Sequence, residues 1–325
     1  MLLWLGAAAF AIAGVLGSFA LLNASLYSAS SFVARYLQAV ADDDVASVLH
    51  TPGVRTASLP DVSEALLRPG VISAGPSQTR IVAEEARSAG QRLVTVDYQL
   101  GSESYSSRFL LRPIPAMFGL IQRWEFVESP LQLVTVTVNH GADFTAGTVT
   151  LDTRANKTGD ELEAFSNSAE YLAIAPAQLQ IAYRSELLTA EPVTVDVTPG
   201  DAASVAIDVL PSDELIDRVQ RELDDFLAEC ATQRVLQPAG CPFGAEINDR
   251  VTSEPKWTIV ATPPVSLTPG ADSFEMPPTP AVARLTVDVQ TLKDGIAETI
   301  DRDEEFTVAL RVRVLDNQSI SIELD

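Results

Sequence analysis

The chain has 325 residues, and its 44 acidic against 22 basic side chains give a formal net charge of −22 at neutral pH. Nucleic acids and anionic lipid headgroups are bound by basic surfaces, so this charge excludes both as expected ligands. We therefore expect no nucleic-acid partner.

The amino-terminal segment is uncharged and almost wholly apolar. No charged side chain precedes Arg35. A helix formed by the first 22 residues would be about 33 Å long, close to the roughly 30 Å hydrocarbon core of a bilayer. The sequence thus predicts a transmembrane anchor at residues 1–25, with residues 1–22 in contact with the lipid bilayer.

A cleaved signal peptide is the alternative for this segment. It requires a basic start, which is missing, and only Ser18-Phe19-Ala20 resembles a cleavage site. Long domains cross membranes largely regardless of their charge. We therefore expect a single-pass protein of the cell membrane whose C-terminal body is extracytoplasmic.

Residues 30–129 are predicted to form a first α+β domain. The three- and four-residue spacing of an amphipathic helix is present in Phe32, Val33, Tyr36, Leu37 and Val40. This helix is predicted to end near Ala41, before Asp42-Asp43-Asp44. These aspartates suit a helix end and the N-cap of a second helix at 45–49 better than a calcium loop, which requires alternating ligands and a glycine.

A third short helix is predicted at 61–67, and from Val71 the apolar period changes to two, which is typical of strands. Four strands are predicted, at 80–85, 92–101, 104–112 and 120–128. We expect an antiparallel meander that holds the helices in its concave face and leaves a cavity at its mouth.

The rest of the chain is predicted to form two further domains. Short β-rich runs separated by Gly, Pro and Asn fill residues 130–211 and predict a small β-sandwich. Residues 212–325 are predicted to form a second α+β domain, in which Ser212 is the N-cap of a helix that reaches about Cys230. The predicted fold class is therefore α+β: a transmembrane helix, then two helix-plus-antiparallel-meander domains that flank a β-sandwich.

Strands of this last domain are predicted at 257–262, 283–291, 305–315 and 319–324. The charged run at 301–305 is predicted to form a hairpin tip. Calcium binding at this run is the less favoured interpretation, because alternate oxygen ligands are present but the loop glycine is missing.

The two cysteines, Cys230 and Cys241, lie in a segment with Gly and Pro residues that can bend back on itself. An even pair in an exported domain indicates a disulfide bond. Closing a loop of about 12 residues stabilises the folded state by about 3 kcal/mol. A zinc site requires about four ligands, and neither His50 nor His140 is near in sequence, so no metal or cofactor is predicted.

The order of these elements resembles a known group of domains. An anchor followed by the helical stretch SFVARYLQAVADDDVASVL and a meander resembles the nuclear-transport-factor-2-like (cystatin-like) domains of membrane-anchored bacterial envelope proteins. The closing unit with ECATQRVLQPAGCPFG resembles the distal part of uncharacterised actinobacterial single-pass membrane proteins. The architecture is similar to that of teicoplanin-resistance-associated envelope proteins. The resemblance implies a cystatin-like roll for each α+β domain.

The mouth of the first meander is the candidate ligand pocket. Its candidate residues are the carboxylates and aromatic side chains on or beside the predicted strands: Asp97, Glu103, Tyr105, Phe109, Trp124 and Glu125. Burial in a cavity would raise the pKa of such a carboxyl. The competing interpretation is that the carboxylates face solvent and the aromatic rings fill the core, since one-sided sheets place polar groups outward.

No nucleophile elbow, phosphate-binding glycine loop or H-E-x-x-H zinc motif occurs in the sequence, so no catalysis is expected. The predicted function is that of a membrane-anchored extracytoplasmic binding or scaffold protein of the bacterial cell envelope. Its expected partner is another envelope protein or a cell-wall component. Two alternatives stay open: a roll-domain hydrolase or isomerase that uses carboxylates of the first cavity, and a passive spacer in a membrane complex.

Overall fold

The computed structural model shows a protein that consists mostly of strands. The residues that it describes are 27–55, 59, 61–117, 121–155, 165–315 and 317–324. Of these, 52% lie in strands and 15% in helices, and the strands form several sheets and a half-barrel. The prediction of an α+β fold with two helix-plus-meander rolls is therefore wrong.

One reason for the error is that charged residues continue the strands of the carboxyl-terminal part. The strands Phe274–Gln290 and Ala297–Val314 are 17 and 18 residues long, much longer than predicted. The run at 301–305 lies inside the second of them and not at a hairpin tip. Its charges are satisfied across the sheet, where Arg284 Nε lies 2.7 Å from Asp303 Oδ1. Cross-strand ion pairs thus allow a charged run to stay extended.

A second reason is that one predicted helix does not form. Residues 61–67 contain the two-residue strand Val62–Ser63, followed by turns. This strand pairs in parallel with Glu170 and Tyr171, more than a hundred residues away. A pairing so remote in sequence overrides the weak local preference for a helix.

Among the residues that the structure describes, no helix is long and apolar enough to cross a membrane. This finding contradicts the prediction of a single-pass protein of the cell membrane. The predicted anchor at residues 1–25, with its bilayer contact at residues 1–22, lies outside the described residues.

The chain divides into two compact units. Unit 1 comprises Met1–Tyr183 and Glu191–Ile207, and unit 2 comprises Arg184–Ala190 and Asp208–Asp325.

The described helices are α1 (Ala29–Ala41), α2 (Val45–His50), α3 (Asp213–Thr232) and a 3₁₀ turn (Ser88–Gly90). Local capping signals place their ends. Asp44 caps α2 by accepting a hydrogen bond from the backbone of Ser47. Ser212 caps α3 by accepting one from the backbone of Leu215. Both predicted N-caps are confirmed.

The strands are numbered in chain order. Those that lie mainly in unit 1 are β1 (Val62–Ser63), β2 (Ile72–Ala74), β3 (Ser77–Ala86), β4 (Arg92–Leu100), β5 (Glu103–Met117), β6 (Ile121–Phe126), β7 (Leu131–Asn139), β8 (Asp143–Ala146), β9 (Val149–Asp152), β10 (Asn167–Ile174), β11 (Ala177–Arg184), β12 (Leu188–Val197) and β13 (Ala203–Asp208). Those of unit 2 are β14 (Leu210–Pro211), β15 (Arg250–Val251), β16 (Lys256–Ala261), β17 (Thr268–Pro269), β18 (Phe274–Gln290), β19 (Ala297–Val314) and β20 (Ile320–Leu324).

The described residues of unit 1 form three sheets. One is the antiparallel series β3-β4-β5-β6. The other two have the orders β1-β10-β7-β13 and β12-β11-β8-β9, and β2 pairs with β11 at the side of the latter. Buried rings from these two sheets meet where Phe144 contacts Tyr171 edge-on, with centroids 5.5 Å apart. The β-rich, sandwich-like part of the prediction is confirmed at this level.

The apolar stripe of α1 forms the core on the β3–β6 sheet. The ring of Tyr36 lies 6.3 Å from that of Phe109 and 5.0 Å from that of Phe126, and Phe32 packs on Phe126 at 5.1 Å. The buried Tyr36 hydroxyl donates a hydrogen bond of 2.5 Å to the carbonyl of Ala175. Burial raises the pKa of Tyr36 well above its usual value.

The described part of unit 2 forms one sheet with α3 on one face. Its strand order is β15-β18-β19-β20, and β16 and β17 also pair with β18. The apolar stripe of α3 is buried at Leu215, Val219, Leu223, Leu227 and Cys230. Since α3 lies closest to β16, the helix covers that side of the sheet more fully than the side of β20.

Replacing Tyr36 with Phe tests the buried hydrogen bond of unit 1. The change keeps the ring but leaves the carbonyl of Ala175 without its donor, so we expect the free energy of unfolding to fall by about 1–2 kcal/mol. Urea unfolding measures this loss. Tyr183→Phe, at a partly exposed tyrosine, is the matched control and should change stability by less than about 0.5 kcal/mol. Equal losses in both variants would contradict the role of the Tyr36 hydroxyl.

Candidate protein-binding surface

The predicted disulfide bond is present. Cys230 in the last turns of α3 is bonded to Cys241, and their Cα atoms are 5.8 Å apart. The Gln233 side chain closes the same loop a second time: its Nε2 donates to the carbonyl of Ala239 at 3.2 Å, and its Oε1 accepts from the Ala239 amide at 2.9 Å. The loop that follows α3 is therefore fixed to the end of the helix.

Aromatic contacts hold this loop region on the sheet of unit 2. The ring of Phe243 lies 5.0 Å from that of Trp257 and 5.3 Å from that of Phe306. The indole Nε1 of Trp257 donates a 2.8 Å hydrogen bond to the carbonyl of Val235, inside the disulfide loop. The disulfide bond therefore helps to hold the loop against this end of the unit 2 core.

The three candidate carboxylates of unit 1 do not meet in one cavity. Asp97 lies in an ion pair with Arg80 at 3.4 Å, and Glu125 lies in one with Arg112 at 2.5 Å. Glu103 is exposed at the start of β5. These residues therefore do not form the convergent arrangement that a carboxylate-based hydrolase or isomerase requires.

Of the candidate aromatic residues, Phe109 lies in the core and Trp124 lies at the surface. Phe109 is 3% exposed and belongs to the core around α1. Trp124 lines a wide recess of about 650 Å³, and its Nε1 donates a 2.9 Å hydrogen bond to the carbonyl of Tyr27. Within the recess, Glu84 accepts a hydrogen bond of 3.2 Å from the backbone of Ser30. These polar groups of Trp124 and Glu84 are thus hydrogen-bonded to the backbone of the protein itself.

The third aromatic candidate, Tyr105, belongs to a polar cluster between two sheets of unit 1. Its hydroxyl donates to Asp196 Oδ2 at 2.6 Å, and Gln178 Nε2 donates to Asp196 Oδ1 at 2.8 Å. The ring stacks on Tyr98, whose hydroxyl lies 2.8 Å from Ser107 Oγ. The hydrogen bond to the Asp196 carboxylate raises the pKa of Tyr105 to about 12. This cluster is a structural contact that keeps Tyr105 protonated.

A surface that the sequence does not single out lies in unit 2. Helix α3 and strands β19 and β20 leave a cavity of about 250 Å³ between them, which we call the apolar groove. Its lining residues are Glu222, Leu223, Phe226, Leu310, Ile322 and Leu324. The floor is well covered, with Leu223 4% and Leu310 2% exposed, whereas Leu324 at the rim is 39% exposed.

The groove is open because β20 is the last strand of its sheet among the described residues. Leu324 lies opposite Leu310, and Ile322 lies opposite Val312. Directly opposite residues share a face of the sheet, so Ile322 and Leu324 extend the apolar face beneath α3. The apolar face thus reaches beyond the part of the sheet that the helix covers.

The turn between β18 and β19, residues 291–296, is a second exposed apolar feature of unit 2, and we call it the hairpin turn. Leu292 is 74% and Ile296 is 60% exposed. The exposed Lys293 follows Leu292 directly. Two hydrogen bonds close the turn: Thr291 N donates to the carbonyl of Ile296 at 3.0 Å, and Ile296 N donates to Thr291 Oγ1 at 3.1 Å.

The acidic side chain of Glu222 lies at the rim of the groove. Glu323 lies opposite Arg311, at the positions between the groove residues of these strands, and so on the other face of the sheet. Glu222 therefore favours a ligand that carries positive charge at the rim.

Patterns in the sequence indicate part of this surface. Phe226 follows Val219 and Leu223 at the three- and four-residue spacing of an apolar helix stripe, and the alternation of Ile320, Ile322 and Leu324 predicts the last strand. The Asp294-Gly295 pair is a turn signal that marks the hairpin turn. What the sequence lacks is a signal for the open side of β20.

Within the described part of the chain, no group of three or more His, Cys, Asp or Glu side chains is arranged to hold a metal ion.

Comparison of the chain with protein-family models, curated proteins and solved structures gives no match. The resemblance to cystatin-like domains of actinobacterial and other envelope proteins thus stays a prediction from the sequence.

Removing the disulfide bond should destabilise unit 2. The bond joins residues 11 positions apart, so replacing both cysteines with Ser should lower the free energy of unfolding by about 3 kcal/mol. Denaturant unfolding followed by tryptophan fluorescence, to which Trp257 beside the disulfide loop contributes, reports this change. A reducing agent should affect the native chain and leave the double-Ser variant unchanged. An unaltered transition after reduction would contradict the stabilising role.

The Tyr105–Asp196 hydrogen bond predicts a pH dependence. The pKa of Tyr105 is raised from 10.0 to about 12 on folding, so its contribution to stability is complete below the unfolded pKa and is lost as the pH rises through the folded one. In Asp196→Asn the pKa of Tyr105 should fall toward 10.0. A pH titration of the tyrosine ring carbons by NMR measures it.

Tyr171 is the internal control of that titration. Burial, together with the charge of Asp152, raises the pKa of Tyr171 to about 12 as well. This value should be the same in Asp196→Asn. A Tyr105 pKa that did not move in the variant would overturn the assigned cause.

Proposed function

We propose that this protein is a non-catalytic binding or scaffold protein, and that it holds a partner protein in the apolar groove of unit 2. The observation that carries the proposal is the groove itself, with its aliphatic floor and its open side at β20. Single exposed apolar side chains are normal on protein surfaces. A concave apolar site rimmed by polar groups is a typical place for binding.

The size and lining of the groove suit an aliphatic side chain. A volume of about 250 Å³ corresponds to about eight waters at roughly 30 Å³ each. Water in such a site finds few hydrogen-bond partners, because Leu223, Leu310 and Ile322 supply only carbon atoms. Transfer of one leucine side chain into the groove contributes about 1.5–3 kcal/mol to binding.

The negative charge of the protein favours aliphatic ligands that also carry a positive charge. Glu222 lies at the rim, and the whole chain carries a net charge of −22. A partner segment with Lys or Arg beside its aliphatic residue gains a rim ion pair and long-range attraction, both of which weaken with added salt. A neutral cell-wall polysaccharide has neither feature, so a protein is the favoured partner.

A single contact of this kind binds weakly. An exposed ion pair contributes about 0.2–1 kcal/mol. One such pair together with one buried aliphatic side chain forms a small, transient interface. Scaffold proteins use such contacts in several copies, because linked sites raise the effective concentration. The groove therefore suits a scaffold more than a tight one-to-one inhibitor.

A labelled peptide of alternating leucine and lysine, compared with one of alternating leucine and glutamate, tests this proposal. Fluorescence anisotropy should detect binding of the lysine peptide and not of the glutamate peptide, and added salt should weaken it. In Leu324→Asp the affinity should fall about tenfold, since a carboxylate then lies in the groove.

Val260→Asp is the matched control. Val260 is 51% exposed on β16, so this variant adds the same charge to the same unit away from the groove. It should bind the lysine peptide like the native chain. Equal binding by native chain and Leu324→Asp would refute the groove as the site, provided that both retain the native circular dichroism spectrum.

A further inference from the structure

We propose that the partner that enters the apolar groove is the hairpin turn of a second copy of this chain. This inference rests on the function proposed above and names the partner of the same groove. The hairpin turn presents two aliphatic side chains and a lysine, which is the ligand chemistry that the groove favours.

The hairpin turn is fixed for insertion. Besides its two closing hydrogen bonds, its Asp294 carboxylate accepts from Thr291 Oγ1 and from the amide of Ile296 at 3.2 Å. These bonds lower the pKa of Asp294, so this exposed carboxylate stays ionised beside Lys293. Leu292 and Lys293 are exposed as well, and the hydrogen bonds of the turn limit the conformational entropy that binding removes.

The hairpin turn and the groove complement each other in apolar surface and at one pair of opposite charges, that of Lys293 with Glu222. Leu292, at 74% exposure, supplies an aliphatic side chain for the floor of the groove. Lys293 beside it supplies the positive charge that faces Glu222 at the rim. In a chain with a net charge of −22, this pairing offers an attraction at the point of contact between two copies that otherwise repel each other.

The two features cannot meet within one copy. Ala297 follows the hairpin turn, and Leu310 lines the groove on the same strand. An extended strand separates these residues by about 43 Å, at about 3.3 Å per residue. Contact therefore joins different copies. A head-to-tail arrangement leaves a free turn at one end of the assembly and a free groove at the other, and it produces chains that lengthen with concentration, whereas a reciprocal contact around a two-fold axis stops at a dimer.

Sedimentation equilibrium of the full chain, at physiological ionic strength to screen the repulsion between copies, measures the association. For the head-to-tail arrangement we expect the average mass to rise continuously with protein concentration, beyond the mass of a dimer. Leu292→Ser should weaken the association about tenfold. Lys293→Glu should weaken it as well, and Glu222→Lys added to this variant should restore it.

Lys256→Glu is the matched control for the change in net charge. Lys256 is exposed on β16, and its reversal alters the charge of unit 2 by the same amount as that of Lys293. It should associate like the native chain. An equal loss in Lys256→Glu and Lys293→Glu would overturn the contact between Lys293 and Glu222.

Mixing two defective variants gives the decisive result. Leu292→Ser lacks the leucine of the turn and Leu324→Asp has a charged groove, so each alone should associate about tenfold more weakly than the native chain. Together they keep one intact turn and one intact groove, and they should form a one-to-one complex with the affinity of the native contact. A mixture that associates no more strongly than either variant alone would overturn the head-to-tail contact.

The result separates this inference from the function on which it rests. A chain that stays monomeric at all concentrations but still binds the lysine peptide, with loss of binding in Leu324→Asp, overturns the second copy as partner and leaves the groove as a binding site. Peptide binding that is the same in Leu324→Asp overturns the groove itself, and the inference with it.

Discussion

The antiparallel pairing of β18 with β19 is the interaction on which the rest of unit 2 depends. It runs from the pair Gln290 and Ala297, next to the hairpin turn, to the pair Phe274 and Val312. A slip by one residue would turn every side chain to the opposite face, so the buried face specifies the register strongly. The same register places Arg284 opposite Asp303 on the outer face, which compensates charges that would otherwise favour a loop.

Two further contacts complete this unit around the hairpin. Helix α3 covers the apolar face on the side of β16, and the Cys230–Cys241 bond fixes the loop from which Val235 binds the indole of Trp257. On the other side β20 is the last strand of the sheet among the described residues, and its Ile322 and Leu324 belong to the same apolar face. The groove is thus the part of the apolar face that α3 borders but does not cover. Its apolar lining follows directly from this incomplete cover.

In the candidate pocket of unit 1, strand alternation indicates which residues share a face of the sheet but not what that face contacts. Along β4, Val96 and Tyr98 are buried, so Asp97 between them lies on the other face, where Arg80 pairs with it. The pattern correctly separates polar from apolar positions on the strand. It does not state which face meets another sheet. Tyr105 finds Asp196 across such a contact between sheets, a partner 91 positions away that no local pattern indicates.

By itself the sequence determined the features that depend on neighbours in the chain: the N-caps at Asp44 and Ser212, the strand character of most apolar alternations, the net charge and the disulfide bond across a short loop. Only the tertiary structure decided that 301–305 is a strand, that 61–67 is not a helix, and that an apolar groove remains beside β20. The physical reason is that a cap or a short loop is satisfied by atoms a few residues away. The length of a strand, the absence of a helix at 61–67 and the part of a sheet that a helix leaves uncovered depend on distant segments. These segments supply the hydrogen bonds and the packing.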